Sequence, residues 1–292
     1  MAKSRLAVNC EYGALRLFCG IVNLVPYRVA SLLARALARC AFAAGFQRRR
    51  TLGRIKSVFR GITDGEAKRI AVASLANVLE TAVEMIRAPK LTRKWMDTHV
   101  VDGQRYENVL QEIVDRGHGA VIMVPHSGNW YMAAWAMAKY GLPLFAIAAR
   151  QRNPKINAWM NRQYGDIEVL DRDCRDTLGK IKDRLRAGRA FAILPDLRVR
   201  RRDVEVDFLG GKANVSRAGA MFAVHTGAPI VVAAMTREHG RHVIHHLATI
   251  EPGDRSSAEL TREAMKILSD FVMEHPDNWY WYNKRWILEP PE

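Results

Sequence analysis

Three side chains of different chemistry stand directly behind short apolar runs in this 292-residue sequence: His126 follows AVIMVP, Arg150 follows LFAIAA, and Asp196 follows AFAILP. Continuous apolar runs of this length read as strands buried on both faces, and in an open α/β sheet chemistry gathers beyond the carboxyl ends of such strands. If the three strands are neighbours in one parallel sheet, a base, a cation and an acid meet in one cleft. His126 lies in Pro125-His-Ser-Gly-Asn-Trp130, where a strand gives way through a glycine turn to a helix. An imidazole titrates near neutrality and can take a proton from a hydroxyl, a role worth about 10²- to 10⁴-fold in rate. A developing oxyanion could be held by the N–H groups of that helix N-terminus or by Asn129. Arg150 suits a phosphate or phosphopantetheine anion as well as a surface ion pair, with Arg152 and Arg162 as weaker versions of the same idea. Ser127 is not set in a nucleophile elbow, because Pro125 and Asn129 occupy the glycine positions of GxSxG. Neither GxGxxG nor a P-loop occurs, so nothing points to a nucleotide cofactor. Asp171 and Asp173 have no clustered carboxylate or histidine near them in sequence, and no metal is expected.

The elements that must position these residues follow from periodicity. Thr63-Asp-Gly-Glu66 is a capping box opening a helix over 67–87 that ends before Pro89. Strands are predicted at 120–125, 142–149, 167–170, 190–195, 204–209 and 229–235, with an edge strand at 243–250. Helices are predicted at 130–140, 153–164, 173–187, 216–226 and 257–275. The alternation predicts an α/β fold, a central mostly parallel sheet flanked by helices, occupying residues 61–292.

Residues 1–60 differ in kind. Of the net charge of +15, this segment carries +11, twelve basic residues against Glu11 alone. A helix is predicted from Pro26 over 27–46, with Arg28, Arg35 and Arg39 in a narrow stripe on a broad apolar surface. It is followed by the basic run QRRRTLGRIK. An amphipathic helical segment lying in an anionic membrane interface has this pattern, and so does a core helix with solvated arginines. Nucleic acid is a third anionic partner, but no zinc-finger, RNP-like or basic-zipper pattern accompanies the charge, and none is expected to bind. The apolar segment 17–27 lies between Arg16 and Arg28 and is too short to span a bilayer. The four cysteines are scattered, with no CxxC pair, which suggests neither a zinc site nor a disulfide framework.

The stretch VIMVPHSGNWYMAAW resembles the active-site strand and turn of the bacterial lipid A biosynthesis (lauroyl/myristoyl) acyltransferase family, which also takes in mycobacterial phosphatidylinositol mannoside acyltransferases. Further similarities follow in order: Ala149-Arg-Gln-Arg-Asn-Pro154, Leu194-Pro-Asp196 with Val206-Asp-Phe-Leu-Gly210, Ser216-Arg-Ala-Gly219 with Thr226-Gly-Ala-Pro229, and the aromatic run Trp279 to Trp286. The resemblance covers about residues 10–286. It implies transfer of a fatty acyl group from an acyl carrier protein or coenzyme A thioester, as co-substrate without a cofactor, to a hydroxyl of a membrane glycolipid or phospholipid precursor. The implied location is peripheral, on the cytoplasmic face of the bacterial inner membrane. The family's signature is a histidine followed five positions on by Asp or Glu, and here Tyr131 stands in that place. A neutral phenol can position a group but stabilises an imidazolium far less than a carboxylate does. Asp196, matching a segment where the mannoside enzymes place a carboxylate partner for the histidine, is the expected replacement. The implied roles are thus His126 as general base with Asp196, Asn129 and Tyr131 in oxyanion binding or positioning, and Arg150 and Arg162 toward the donor or a phosphate.

Overall fold

The fold is taken from a computed structural model, which describes residues 4–117 and 119–289. Four helices come first: α1 (Arg5–Leu24), α2 (Tyr27–Ala43), α3 (Arg48–Val58) and α4 (Asp64–Arg87). Then follow α5 (Arg93–His99), β1 (Val100–Val101), α6 (Gly103–Asp115), β2 (Ala120–Met123), α7 (Trp130–Lys139), β3 (Leu144–Ala148), α8 (Pro154–Gln163), β4 (Glu168–Asp171), α9 (Thr177–Arg186) and β5 (Ala190–Ile193). The chain continues through β6 (Val204–Phe208), β7 (Gly211–Val215), α10 (Ala218–Thr226), β8 (Ile230–Glu238), β9 (Arg241–Ile250) and α11 (Ser257–Glu274).

Seven strands form one sheet in the order β1-β9-β8-β2-β5-β3-β4. Strands β8, β2, β5, β3 and β4 run parallel; β9 is antiparallel to β8 and carries the two-residue β1 alongside it. The fold class expected from the alternation is therefore what the chain adopts. Two details differ. Strand β9, expected at the edge, is flanked on both sides, and β6 leaves the sheet altogether to pair antiparallel with β7 in a separate hairpin. Its alternating burial, inward at Val204, Val206 and Phe208, suits a ribbon with one wet face, unlike the continuous burial of β2.

The pleat divides the core. Val121 and Met123 enter one apolar cluster with Phe145, Phe191 and Val232, while Ala120, Ile122 and Val124 enter another with Leu144, Val231 and Trp135. The first cluster extends to Phe42 of α2 and Ile55 of α3, so part of the N-terminal segment is packed into the body of the protein.

The remainder of that segment faces outward. Helix α2 buries a stripe of small residues, Ala30, Ser31, Ala34 and Ala38, against α4, and ends the stripe with Phe42. Its other side presents Val29, Leu32, Leu33 and Leu37 to the exterior. Helix α1 does likewise with Leu6, Leu17, Phe18, Ile21 and Leu24, the last 86% exposed. Among the described residues no single helix is long and apolar enough to cross a membrane.

Candidate active site

Strands β2 and β5 are adjacent and in register from Ala120 opposite Ala190 to Met123 opposite Ile193, which brings their trailing residues side by side. His126 Nδ1 lies 2.7 Å from Asp196 Oδ1, and the His126 backbone N–H donates to Asp196 Oδ2 at 2.7 Å. The indole N–H of Trp279 donates to Oδ2 as well, at 2.8 Å. Asp196 is buried. Burial alone would push its carboxyl up; the His126 imidazole beside it, with the hydrogen bonds from His126 and Trp279, holds it below the usual carboxylate value. An ionised carboxylate can only accept, so Nδ1 carries the proton and Nε2 is left as the basic nitrogen.

The turn that carries His126 is fixed from several sides. Gly128 has φ +55°, and a Cβ there would stand 2.6 Å from the Met235 carbonyl oxygen, so the backbone passes too close to β8 for any side chain. Its N–H donates to the Asn278 carbonyl, and the Tyr280 N–H donates to the His126 carbonyl, both at 2.9 Å. Ser127 is buried and donates to the Met235 carbonyl at 2.9 Å, which gives its hydroxyl a structural part.

Asn129 is the N-cap of α7. Its Oδ1 accepts the N–H groups of Tyr131 and Met132, and its Nδ2 donates to Glu84 Oε2 at 2.6 Å. Both ends of the amide and two of the helix N–H groups are thereby engaged. This arrangement suits a positioning part for Asn129, with those two N–H groups engaged within the turn.

Glu84 anchors this arrangement from α4. It accepts both terminal nitrogens of Arg237, at 2.7 and 2.9 Å, and the Tyr27 hydroxyl at 2.6 Å. His242 Nε2 is 3.2 Å away but not aligned as a hydrogen bond. Burial works against the charge on Glu84, yet the Arg237 guanidinium and His242 hold its carboxyl well below the usual carboxylate range.

Beside His126 opens a cleft of about 420 Å³ between the sheet and α7. Ala133, Ala134, Ala146, Ala148 and Ala192 leave the space; Ile122, Val124, Met137, Leu144 and Ile167 make it apolar. Trp130 lies edge-on to the His126 ring, with centroids 5.0 Å apart. A volume of this size, mostly apolar with a few polar groups at one end, is typical of a ligand site.

Arg150 and Arg162 do not line this cleft. The strand ahead of Arg150, β3, does neighbour β5, but Arg150 is 75% exposed with Nε 2.6 Å from Asp171 Oδ2, the surface ion pair that was its other reading. Arg162 reaches the Tyr12 hydroxyl of α1. The cation that does line the cleft is Arg172, just after β4. Arg150 and Arg172 trail adjacent parallel strands, so the sequence signal that selects the first is equally present for the second.

A match to the model of the bacterial lipid A biosynthesis acyltransferase family spans residues 11–287. The chain belongs to that family. Among its relatives, a phosphatidylinositol mannoside acyltransferase of Mycolicibacterium smegmatis is 26% identical over 286 residues, 90% of each protein. One from Mycobacterium tuberculosis is 26% identical over 182 residues, 60% of this chain and 57% of that one. The crystal structure of the 1-acyl-sn-glycerophosphate acyltransferase PlsC from Thermotoga maritima covers 87% of this chain and 99% of its own, with a TM-score of 0.39 and 18% identity.

In this acyltransferase the residue five positions after the histidine faces the cleft wall. Tyr131 stacks on Trp135 at 5.6 Å and approaches Tyr164 at 6.1 Å. Burial, with the Tyr131 hydroxyl beside it, pushes the Tyr164 phenol up, so that hydroxyl stays protonated. The acid that faces the histidine comes from β5 instead. Trp279 and Glu84 are not legible as parts of the site in the sequence: each acts across 45 residues or more of chain, the aromatic-rich C-terminus hints at the first, and nothing local reveals the second.

Proposed function

We propose that this acyltransferase moves a fatty acyl group from a thioester, carried on an acyl carrier protein or coenzyme A, to a hydroxyl of a membrane glycolipid or phospholipid precursor. The observation that carries this reading is the pairing of His126, at the mouth of an apolar cleft, with the buried Asp196. Asp196 holds the Nδ1 proton and stabilises the imidazolium that forms. Nε2 takes the proton of the acceptor hydroxyl as its oxygen attacks the thioester carbonyl. The C–S bond breaks, and the proton on Nε2 passes to the departing thiolate, so an ester and a free thiol result. The acyl chain lies in the apolar cleft, with Trp130 closing over the reacting end and Arg172 placed for an anion of the donor or acceptor.

The exposed apolar faces of α1 and α2, with the basic residues around them, support a peripheral position on the cytoplasmic face of the bacterial inner membrane, where such an acceptor resides. Residues 1–60 serve as the membrane-associating segment and residues 61–292 as the transferase domain.

The deciding experiment incubates purified protein with labelled acyl thioester and a membrane lipid extract. Wild type yields labelled lipid; His126→Ala and Asp196→Asn do not. Full activity in Asp196→Asn alongside an inactive His126→Ala would remove Asp196 from the mechanism. Absence of any His126-dependent labelled lipid would favour a relative that keeps the fold with lost or altered chemistry, the alternative that Tyr131 raises.

A further inference from the structure

A second hollow lies on the side of α4 that faces α2, about 720 Å³ in volume. Its floor is closed by the Arg237, Glu80 and Asn77 side chains, already bonded to one another or to Glu84. Its rim is different. Arg39 from α2 and Lys68 and Arg69 from α4 stand at the surface, and Arg69 is only 3.7 Å from Asp277. No ion pair is found for Arg39 or Lys68 among the described residues; the carboxylates that also line the groove are engaged by other cations, Asp277 by Arg69 and Glu80 by Arg35 and Arg237. Apolar atoms of Phe42, Val72 and Ala76 line the space between them.

The groove also has a defined relation to the exposed apolar surface. On α2 the Arg28–Arg35–Arg39 stripe separates the buried alanine face from the outward leucines at 32, 33 and 37. A lipid whose chains meet the leucine face brings its phosphate to the level of this stripe, at the mouth of the groove.

We propose that the α2–α4 groove is a binding site for the phosphate head group of an anionic phospholipid, separate from the His126 cleft. Arg39 and Lys68 contact the phosphate, Arg69 assists, and the apolar lining accommodates the glycerol portion. Binding here orients the protein on the surface and is independent of acyl transfer.

The test reads binding without turnover. Soluble dihexanoyl phosphatidylglycerol and inorganic phosphate are titrated calorimetrically into wild type, the pair Arg39→Ala/Lys68→Ala, and the pair Arg60→Ala/Arg241→Ala, which removes equal charge outside the groove and the stripe. Wild type should bind the short-chain lipid saturably, the groove pair at least about tenfold more weakly, and the control pair as wild type does. Thermal unfolding of both pairs, whose altered side chains are exposed, confirms the fold. Equal weakening in both pairs would mean diffuse attraction and overturn the site. Inorganic phosphate binding as tightly as the lipid would overturn the lipid assignment, as would no binding by wild type.

Discussion

The His126 turn and the outer faces of α1 and α2 depart from an ordinary protein surface in opposite directions. At the turn, polar groups are buried and bonded: Asp196 takes three donors, Asn129 spends both ends of its amide, and Glu84 receives Arg237, Tyr27 and Asn129. On the helices, large apolar side chains are left facing outward, from Leu6 to Leu37. A buried polar group costs free energy unless it is bonded, so the turn can hold its charges only in one arrangement, which is what a general base requires. An exposed apolar face costs free energy in water and is stable where something covers it. In the proposed function, the first region supplies the chemistry and the second the attachment to a membrane.

Activity depends most on His126. Its replacement by alanine should reduce acyl transfer by about 10²- to 10⁴-fold with the protein still folded but less stable, since the buried Asp196 loses the imidazole and keeps the backbone N–H at 126 and the Trp279 N–H as donors. A variant that loses activity and fold together would show the turn to be structural. Glu84→Gln should act on the same turn through stability. Removing one partner of a buried pair typically costs about 3–5 kcal/mol, because Arg237 is left without its anion. Urea unfolding measures it, and a loss under about 1 kcal/mol would mean that Glu80, 3.7 Å from Arg237, suffices to hold the charge.

On the outer face of α2, Leu33→Glu with Leu37→Glu should leave both stability and acyl transfer to a detergent-dispersed acceptor intact. Each buried leucine is worth about 1.5–3 kcal/mol, so co-sedimentation with vesicles should fall by at least about tenfold. Unchanged vesicle binding would assign the leucine face to another partner. Within the turn, Trp279→Phe removes one donor to Asp196 and keeps an aromatic ring, though a smaller one. A loss of about threefold to tenfold in acyl transfer is expected, the size of one hydrogen bond. A larger loss would make Trp279 central to holding the acid.

How these residues appear in the sequence depends on how far their partners lie along the chain. The apolar runs before His126 and Asp196 mark strand ends, and once β2 and β5 pair in register the two side chains must meet; strand order alone delivers them. Arg150 has the same signal, yet a strand end fixes only the backbone, and Asp171 on the neighbouring β4 turns the side chain outward. Asn129 reads as a polar group beside a histidine because nothing local reveals Glu84, 45 residues earlier, that claims its amide. Helix α3 is concealed by its arginines, since a run such as RRRTLGRIK reads as basic flank until Arg54 is seen buried, donating to the carbonyls of Trp281 and Asn283. Hairpin β6–β7 escapes because pairing partners, and not periodicity, decide which sheet a strand joins.

The smallest expected effect concerns pH and separates the two kinds of buried charge at the turn. His242 is fully buried against Glu84; burial holds its imidazole below the ordinary value, Arg237 adds to this, and Glu84 opposes it. The unfolded chain therefore binds a proton there, from about pH 6.5 downward, before the fold does, and stability begins to fall at that point as pH drops. Glu84 and Asp196 have depressed values, so their contribution is complete above the ordinary carboxylate range, near pH 4, and is lost only as pH falls through their lower folded values. Two descending stages result, the upper from histidine and the lower from the carboxylates. His242→Phe should flatten the upper stage and leave the lower in place, with His245, also held low by burial, supplying what remains of the upper one. Urea midpoints measured from pH 8 down to about pH 2 would show it. An upper stage untouched by His242→Phe would mean that the proton is taken up elsewhere, and that the charge on Glu84 is balanced by Arg237 alone.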